Sequence, residues 1–191
     1  MTILESKAVS YAKWCIEPDN KKVPKYVKKQ CEAWLNIVNG KDEEAYTDDK
    51  MFGKLCKLLK LIIHPDLQKP LIDCMEEYAW LLIVAVFCTK NKADNTRYYR
   101  TALLEICRKN FKTFYSGVIF IIGMLTEGKF CRFFSVAPDL KLSKELQIAI
   151  KKIIKSSPAL SEEIFKALRS EIRCLINDSE YIPLAYSEDK M

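Results

Sequence analysis

The chain contains 191 residues, of which 49% are hydrophobic and 29% are charged. This balance excludes disorder over the whole length, and 5 Gly with 7 Pro exclude a collagen-like or linker-type chain. The net charge of +6 is concentrated in residues 107–155, which carry 10 basic and 3 acidic side chains, against 17 and 15 before them and 4 and 7 after them. A polyanion bound near this segment would explain the excess, and so would a solvated basic face.

The cysteines and apolar segments exclude several other classes of protein. The eight cysteines lie at least 14 residues apart and His64 is the only histidine, so no local zinc scaffold exists and we expect reduced thiols, as in a cytosol. A cysteine nucleophile activated by His64 is an alternative that one histidine formally permits. The apolar runs 78–88 and 114–125 are shorter than the ~20 residues of a membrane span. Without a signal-peptide pattern, the sequence predicts a protein of the cytoplasm that does not enter a membrane.

Up to residue 90 the sequence predicts helices. Apolar residues recur at the spacing of amphipathic helices, and Asn39-Gly40 and His64-Pro65 are breaks that end two of them. The predicted helices cover residues 5–16, 24–39, 50–63 and 71–88, the last of them buried on nearly all sides. The polar segment 89–96 then separates a predicted N-terminal helical region, 1–90, from a second region, 91–191.

Beyond this boundary, strands and helices alternate in the prediction. The series comprises a strand at 98–107, a basic turn at 108–110, a buried helix at 114–125, a strand at 130–137 and an amphipathic helix at 143–155 capped by Ser143. A βαβα series of this kind predicts an α/β fold with a parallel sheet. The predicted tail is a helix running into a strand over 164–176 and an extended piece at 181–186.

The turn after the first predicted strand carries the most specific chemical signal. It is Ile106-Cys107-Arg108-Lys109-Asn110-Phe111-Lys112-Thr113, and a buried helix follows it. In a phosphate-binding loop, backbone amides at a helix N-terminus surround the phosphates, a lysine reaches the β/γ-phosphates and the next Ser or Thr ligates Mg²⁺. Lys112 and Thr113 have these types in this order. The two glycine positions of G-x-x-x-x-G-K-[ST] fall on Ile106 and Phe111, however, and a Cβ penalises positive φ. A basic turn on a solvated edge is therefore the alternative interpretation.

This loop resembles the variant ATPase loop of tailed-phage terminase large subunits of the HK97-like type. The common form of that loop is an apolar residue, any residue, and then Arg-Lys-Asn-Gly-Lys-Ser/Thr. The resemblance covers most of residues 10–190 and is strongest over 98–158, where the flanking strands and a closing Ser-Pro turn at 156–158 also look similar. It implies an incomplete P-loop NTPase sheet of the ASCE type, preceded by a helical entry region.

The resemblance also implies roles for single residues. Lys112 would contact the β- and γ-phosphates of ATP, Thr113 would ligate Mg²⁺, and Asn110 with the backbone amides of 108–113 would cradle the phosphates. Arg108 matches the loop arginine that the family uses near the γ-phosphate, although general electrostatic attraction explains Arg108 and Lys109 equally well. The implied ATP-binding set is Cys107, Arg108, Lys109, Asn110, Phe111, Lys112 and Thr113.

The sequence departs from the family pattern at four points. Phe111 replaces a glycine of the loop. The Trp-Gln pair that the family usually has on the adenine side is not found. Tyr78 or Trp80 would stack on adenine instead, although their apolar surroundings favour a role in the core. The second acidic ATPase motif is an apolar strand ending in Asp-Glu, and Glu188-Asp189 follows no such strand. The nuclease domain is also missing. The resemblance therefore implies part of an ATPase that binds ATP without hydrolysing it alone.

For the intact family, the resemblance implies ATP hydrolysis that drives double-stranded DNA into a procapsid in the bacterial host cytoplasm. The implied partners are the terminase small subunit, the portal protein and further copies of the chain in a ring. Two other hypotheses stay open. A non-catalytic module would bind DNA through a helix face of four lysines, which solubility also explains: Lys144, Lys151, Lys152 and Lys155. A degenerate prophage remnant would expose an unpaired sheet edge and apolar surface.

Overall fold

The computed structural model describes residues 2–160 and 163–186, which form two compact units. The first unit contains the chain up to residue 57 together with 75–103, and the second contains 58–74 together with the chain from 104 onward. The sequence predicts one boundary near residue 90, where the composition changes. The units are defined by spatial contacts, and residues 58–74 belong with the later half of the chain. Within the described ranges, no helix is both long and apolar enough to cross a membrane.

The first unit is mainly helical. Its principal helices are α1 (Lys7–Ile16), α2 (Lys25–Val38), the beginning of α3 (Asp49–Leu61) and α5 (Glu77–Cys88). The predicted helices at 5–16, 24–39 and 50–63 are thereby confirmed. The prediction of one helix over 71–88 is wrong, because a short α4 (Leu71–Cys74) ends before Glu76, which is extended with ψ 144° and precedes α5. This break coincides with the passage of the chain from the second unit to the first.

Two short strands complete the first unit. Strand β1 (Ala45–Thr47) pairs antiparallel with β2 (Thr89–Asn91), where the sequence predicts only a polar break. Before β1 the backbone amides of Glu44 and Ala45 donate to the Asp42 carboxylate at 2.9 and 2.7 Å, which forms the turn that starts the strand. Trp34 from α2 is 1% exposed, and its indole Nε1 donates to Thr89 Oγ1 at 3.1 Å. This bond connects α2 to β2 in the core.

The second unit confirms the predicted α/β class. Its main elements follow as α6 (Lys112–Thr126), β3 (Arg132–Ala137), α7 (Leu140–Ser156), β4 (Phe165–Ala167), β5 (Ile172–Cys174) and β6 (Ser179–Ala185). The sheet has the order β3-β6-β5-β4, with β3 parallel to β6 and the other two pairs antiparallel. The sheet is thus mixed, and its parallel pair is the one that α7 and the β4–β5 hairpin connect.

Three further local predictions are wrong. The strand predicted at 98–107 does not form, and Leu103 is 87% exposed there, because an isolated apolar run without a partner strand gains no burial. The helix predicted within 164–176 is the hairpin β4–β5, in which burial alternates along β5 with the period of a strand. Helix α7 begins before Ser143, with Asp139 as its N-cap, and the Asp139 Oδ1 accepts the Leu142 amide at 2.8 Å.

One face of the parallel pair packs on the helices. Phe133 and Tyr181 lie edge-on to Phe120 of α6, with ring centroids 6.3 and 5.0 Å away. Ser135 Oγ lies 2.8 Å from Ser143 Oγ of α7 and 2.6 Å from the Tyr181 hydroxyl. Gly123 permits this approach, because a Cβ there would come within 3.0 Å of the Phe133 ring.

The hydrogen bonds of β6 show which way its residues face. The backbone amides of Glu180 and Tyr186 donate to the carbonyls of Cys131, just before β3, and Ala137, at its end. The backbone N–H and C=O groups of even-numbered residues in β6 therefore point toward β3, and those of odd-numbered residues point to the opposite side. On the opposite side, β5 pairs only with residues 179–181. Pro183 therefore lies on the side that no other described strand covers, and it has no amide hydrogen to present there.

Candidate functional site

The basic turn of the sequence forms a bend directly before α6. Lys109 has φ 67° and Phe111 has φ 56°, whereas Asn110 between them keeps a negative φ. Alternation of left-handed and ordinary conformations turns successive backbone amides toward one side, which is the geometry of an anion-binding nest. The bend is not part of a continuous helix, since α6 begins only at Lys112.

Phe111 is the N-cap of α6 and occupies the position where a glycine is expected. Its backbone is left-handed, with φ 56° and ψ 20°, and its carbonyl accepts the Tyr115 amide at 2.9 Å. A non-glycine residue in this conformation costs about 1–2 kcal/mol. The bend therefore keeps the conformation that a glycine would adopt, with a phenylalanine in its place.

An aromatic cluster of His64, Phe111 and Phe114 surrounds this strained position. The Phe111 ring is 49% exposed and lies edge-on to His64, with the centroids 6.1 Å apart, and to Phe114, with the centroids 6.5 Å apart. His64 and Phe114 are closer, at 4.6 Å. Edge-to-face contacts of this kind stabilise by about 0.5–1.5 kcal/mol each and offset the backbone strain at Phe111.

The surroundings of His64 favour its neutral form. Its Nδ1 accepts the backbone amides of Asp66 and Leu67, both at 3.2 Å, which places the ring proton on Nε2 and removes Nδ1 as a base. Burial lowers the pKa of His64, and Lys152 acts in the same direction against the opposing Asp66 carboxylate. Lys152 Nζ lies 2.7 Å from Asp66 Oδ1, and this hydrogen bond lowers the pKa of Asp66.

The single histidine predicts a pH dependence of stability. Because the pKa of His64 is lowered on folding, its contribution is complete above the unfolded pKa of about 6.5 and is lost as the pH falls through the folded pKa. We expect the urea concentration at the unfolding midpoint to decrease as the pH is lowered from about 7.5 to about 5.5. In His64→Asn, whose amide oxygen replaces Nδ1 as acceptor, the fall should be smaller. Equal falls in both proteins would contradict the assignment.

The residues predicted to bind nucleotide lie together in the second unit. Cys107, Arg108, Lys109 and Asn110 precede α6 and are exposed, and Lys112 and Thr113 are exposed as the first two residues of the helix. All of them therefore line one continuous bend, although no strand leads into it. Among the described residues, no cluster of three His, Cys, Asp or Glu side chains is placed to hold a metal ion without further ligands. The phosphates of a nucleotide would have to supply ligands beside Thr113.

The other candidates of the sequence have different surroundings. Trp80 is 2% exposed in the core of the first unit and Tyr78 is half-buried on the same helix, as a core role requires. Glu188 and Asp189 lie outside the described residues. Of the α7 lysines, Lys152 pairs with Asp66, and Lys151 Nζ donates to the Leu168 carbonyl at 2.5 Å. This face is thus partly engaged in contacts within the unit.

The aromatic cluster leaves almost no signal in the sequence. His64 ends α3 in the sequence prediction, and nothing in its neighbourhood indicates a partner 47 residues later. The only signal is the pair His64-Pro65, which forces the chain out of the helix and lets the imidazole bond to the next amides.

Comparisons with known proteins agree with the resemblance at the level of the fold. No family model matches the sequence, and no curated protein matches it. The crystal structure of the HK97 bacteriophage large terminase superposes on 70% of this chain with a TM-score of 0.57 and 21% sequence identity. The match spans 27% of the length of that terminase. The predicted resemblance to terminase large subunits is confirmed for the architecture, and the chain has the fold of part of a phage large terminase.

Proposed function

We propose that this chain is the ATP-binding part of a terminase-type DNA-packaging motor. The observation that carries the proposal is the bend at 108–111, which holds left-handed conformations at Lys109 and Phe111 and leads directly into α6. The fold shared with the HK97 large terminase supports the same assignment. Phosphate groups are the natural ligands of such a bend, because amides and the helix dipole both favour negative charge there.

In this proposal, four side chains of the bend have roles toward Mg-ATP. Lys112 contacts the β- and γ-phosphates, Thr113 ligates Mg²⁺, and Asn110 and the amides of 108–113 surround the phosphates. Arg108 lies near the γ-phosphate and stabilises its charge. The exposure of all four side chains is compatible with access of a ligand. Bound Mg²⁺ would neutralise phosphate charge, whereas the carboxylate that positions the attacking water is not among these residues.

The wider activity follows from the terminase assignment. ATP hydrolysis would drive double-stranded DNA into a procapsid, in a ring of subunits that meets the portal protein and the terminase small subunit. Hydrolysis requires an acidic motif beyond the residues assigned here, so we expect this chain alone to bind ATP without turnover. The site of this function is the host cytoplasm.

Replacement of Lys112 tests the proposal. We expect Mg-ATP to raise the melting temperature of the wild-type chain, because a ligand at 100 times its Kd stabilises by about 2.7 kcal/mol. Lys112→Ala should abolish this shift, since the helix start then lacks its phosphate-contacting amine. Lys129→Ala, an exposed lysine after α6, is the matched control and should keep the shift.

Two results would change the assignment. Equal shifts in wild type and Lys112→Ala would show that ATP binds elsewhere. The absence of any shift, together with salt-sensitive DNA binding, would favour a non-catalytic DNA-binding module.

A further inference from the structure

A lysine-rich cleft lies in the first unit, outside the site described above. It is formed by the loop before α2 and the first two turns of that helix, and its volume is about 600 Å³. Four lysines line it together with Pro18, Asn20, Val23 and Glu32: Lys21, Lys25, Lys28 and Lys29. Over residues 18–32, five lysines face two carboxylates, which leaves a local net charge of +3.

The charges of this cleft are not neutralised within the part of the chain that the structure describes. There, no carboxylate lies within ion-pair distance of these lysines, and Lys28 Nζ donates only to the backbone carbonyl of Glu17 at 3.1 Å. Lys21, Lys25 and Lys29 are exposed. Like charges held at one concave surface repel each other, so an anion that bridges them is favoured.

An exposed aromatic ring lies beside these lysines. Tyr26 follows Lys25 in the first turn of α2, at the margin of the cleft and not among the residues that line it, and it is 83% exposed, more than any other tyrosine among the described residues. Cationic grooves with neighbouring aromatic rings bind single-stranded nucleic acid, because the lysines follow the phosphates while bases stack on the rings.

The buried side of α2 argues against a membrane as the partner. Cys31, Trp34, Leu35 and Val38 of this helix lie in the core, so α2 has no apolar face to insert into lipid. We propose that the cleft binds the phosphodiester backbone of single-stranded nucleic acid, with Tyr26 stacking on an unpaired base. This site is separate from the bend at 108–113 and does not require nucleotide binding there.

Fluorescence anisotropy with a labelled oligothymidylate of about 20 nucleotides tests the proposal. The double variant Lys25→Glu with Lys29→Glu should bind at least about tenfold more weakly than wild type, and its affinity should depend less steeply on salt. The matched control, Lys54→Glu with Lys57→Glu, makes the same charge change at exposed positions of α3 and should bind within about twofold of wild type. Circular dichroism establishes that both variants are folded.

Titrations with a duplex and with phosphatidylglycerol vesicles distinguish single-stranded nucleic acid from other polyanions. Tyr26→Ala should weaken binding of the single strand and leave binding of a duplex of the same length unchanged. Equal losses in the two lysine variants, equal effects of Tyr26→Ala on single strand and duplex, or binding only to phosphatidylglycerol vesicles would overturn the proposal. The oligonucleotide is titrated without ATP, and the substituted residues lie outside the bend at 108–113, so this test fails or succeeds independently of the ATP experiment.

Discussion

Replacing Tyr181 by alanine should lower the free energy of unfolding of the second unit by about 3–5 kcal/mol. The Tyr181 side chain is fully buried and packs edge-on against Phe120, so its loss leaves a cavity between β6 and α6. Its hydroxyl lies 2.6 Å from Ser135 Oγ, and the substitution by alanine also removes this hydrogen bond. Because α6 carries the nucleotide-binding residues at its start, the variant should loosen the support of that helix. Urea unfolding and amide exchange of β3, β6 and α6 measure the effect.

Two variants separate the parts of this effect. Tyr181→Phe keeps the ring and removes one buried hydrogen bond, so it should cost about 1 kcal/mol. Tyr26→Ala, the same truncation at an exposed tyrosine, should change stability by no more than about 0.5 kcal/mol. A loss in Tyr181→Ala as small as that of Tyr26→Ala would mean that this ring is not part of the core.

Trp34→Ala should destabilise the first unit by a similar amount, about 3–5 kcal/mol. The indole is 1% exposed, and its Nε1 donates to the fully buried Thr89 hydroxyl at 3.1 Å. Alanine removes the ring volume and leaves the Thr89 hydroxyl without this donor, and a buried polar group without a partner costs about 1–3 kcal/mol. We expect lost amide protection first in α2 and β2, which the indole connects. Hydrogen exchange followed by mass spectrometry locates this loss.

The matched control is Trp14→Ala. Trp14 is 41% exposed and stacks on Tyr11 with ring centroids 5.5 Å apart, so its truncation opens no closed cavity and should cost clearly less. Trp34→Phe retains most of the packing and isolates the bond to Thr89. If Trp34→Ala and Trp14→Ala were equally destabilising, the buried indole would not hold α2 against β2.

The elements that could be predicted are those that depend on local pattern. Helices α1, α2, α3, α6 and α7 are long enough for their apolar period to show, and β3 is a clear apolar run before Pro138. The hairpin β4–β5 was missed because each strand has 3 residues, too few for alternation to be distinguished from a helix turn. The run at 98–107 has the composition of a strand, but a strand forms only where a partner supplies hydrogen bonds.

The same limit applies to the candidate site. The order Lys112-Thr113 after a basic turn is visible in the sequence, and so is the missing glycine. The left-handed conformation of Phe111 is not visible, because the contacts that offset its strain come from His64 in a distant segment. The sequence therefore indicates a defect at position 111, whereas the structure shows a glycine-like backbone there with aromatic support.

Pro183 has a consequence for how far the ladder between β5 and β6 extends. It is buried, and on the side of β6 toward β5 this position offers a carbonyl oxygen but no donor. The pairing with β5 ends at Tyr181. A longer β5 would leave one of its own acceptors unmatched beside the proline, so the missing amide hydrogen limits the reach of this hairpin along β6.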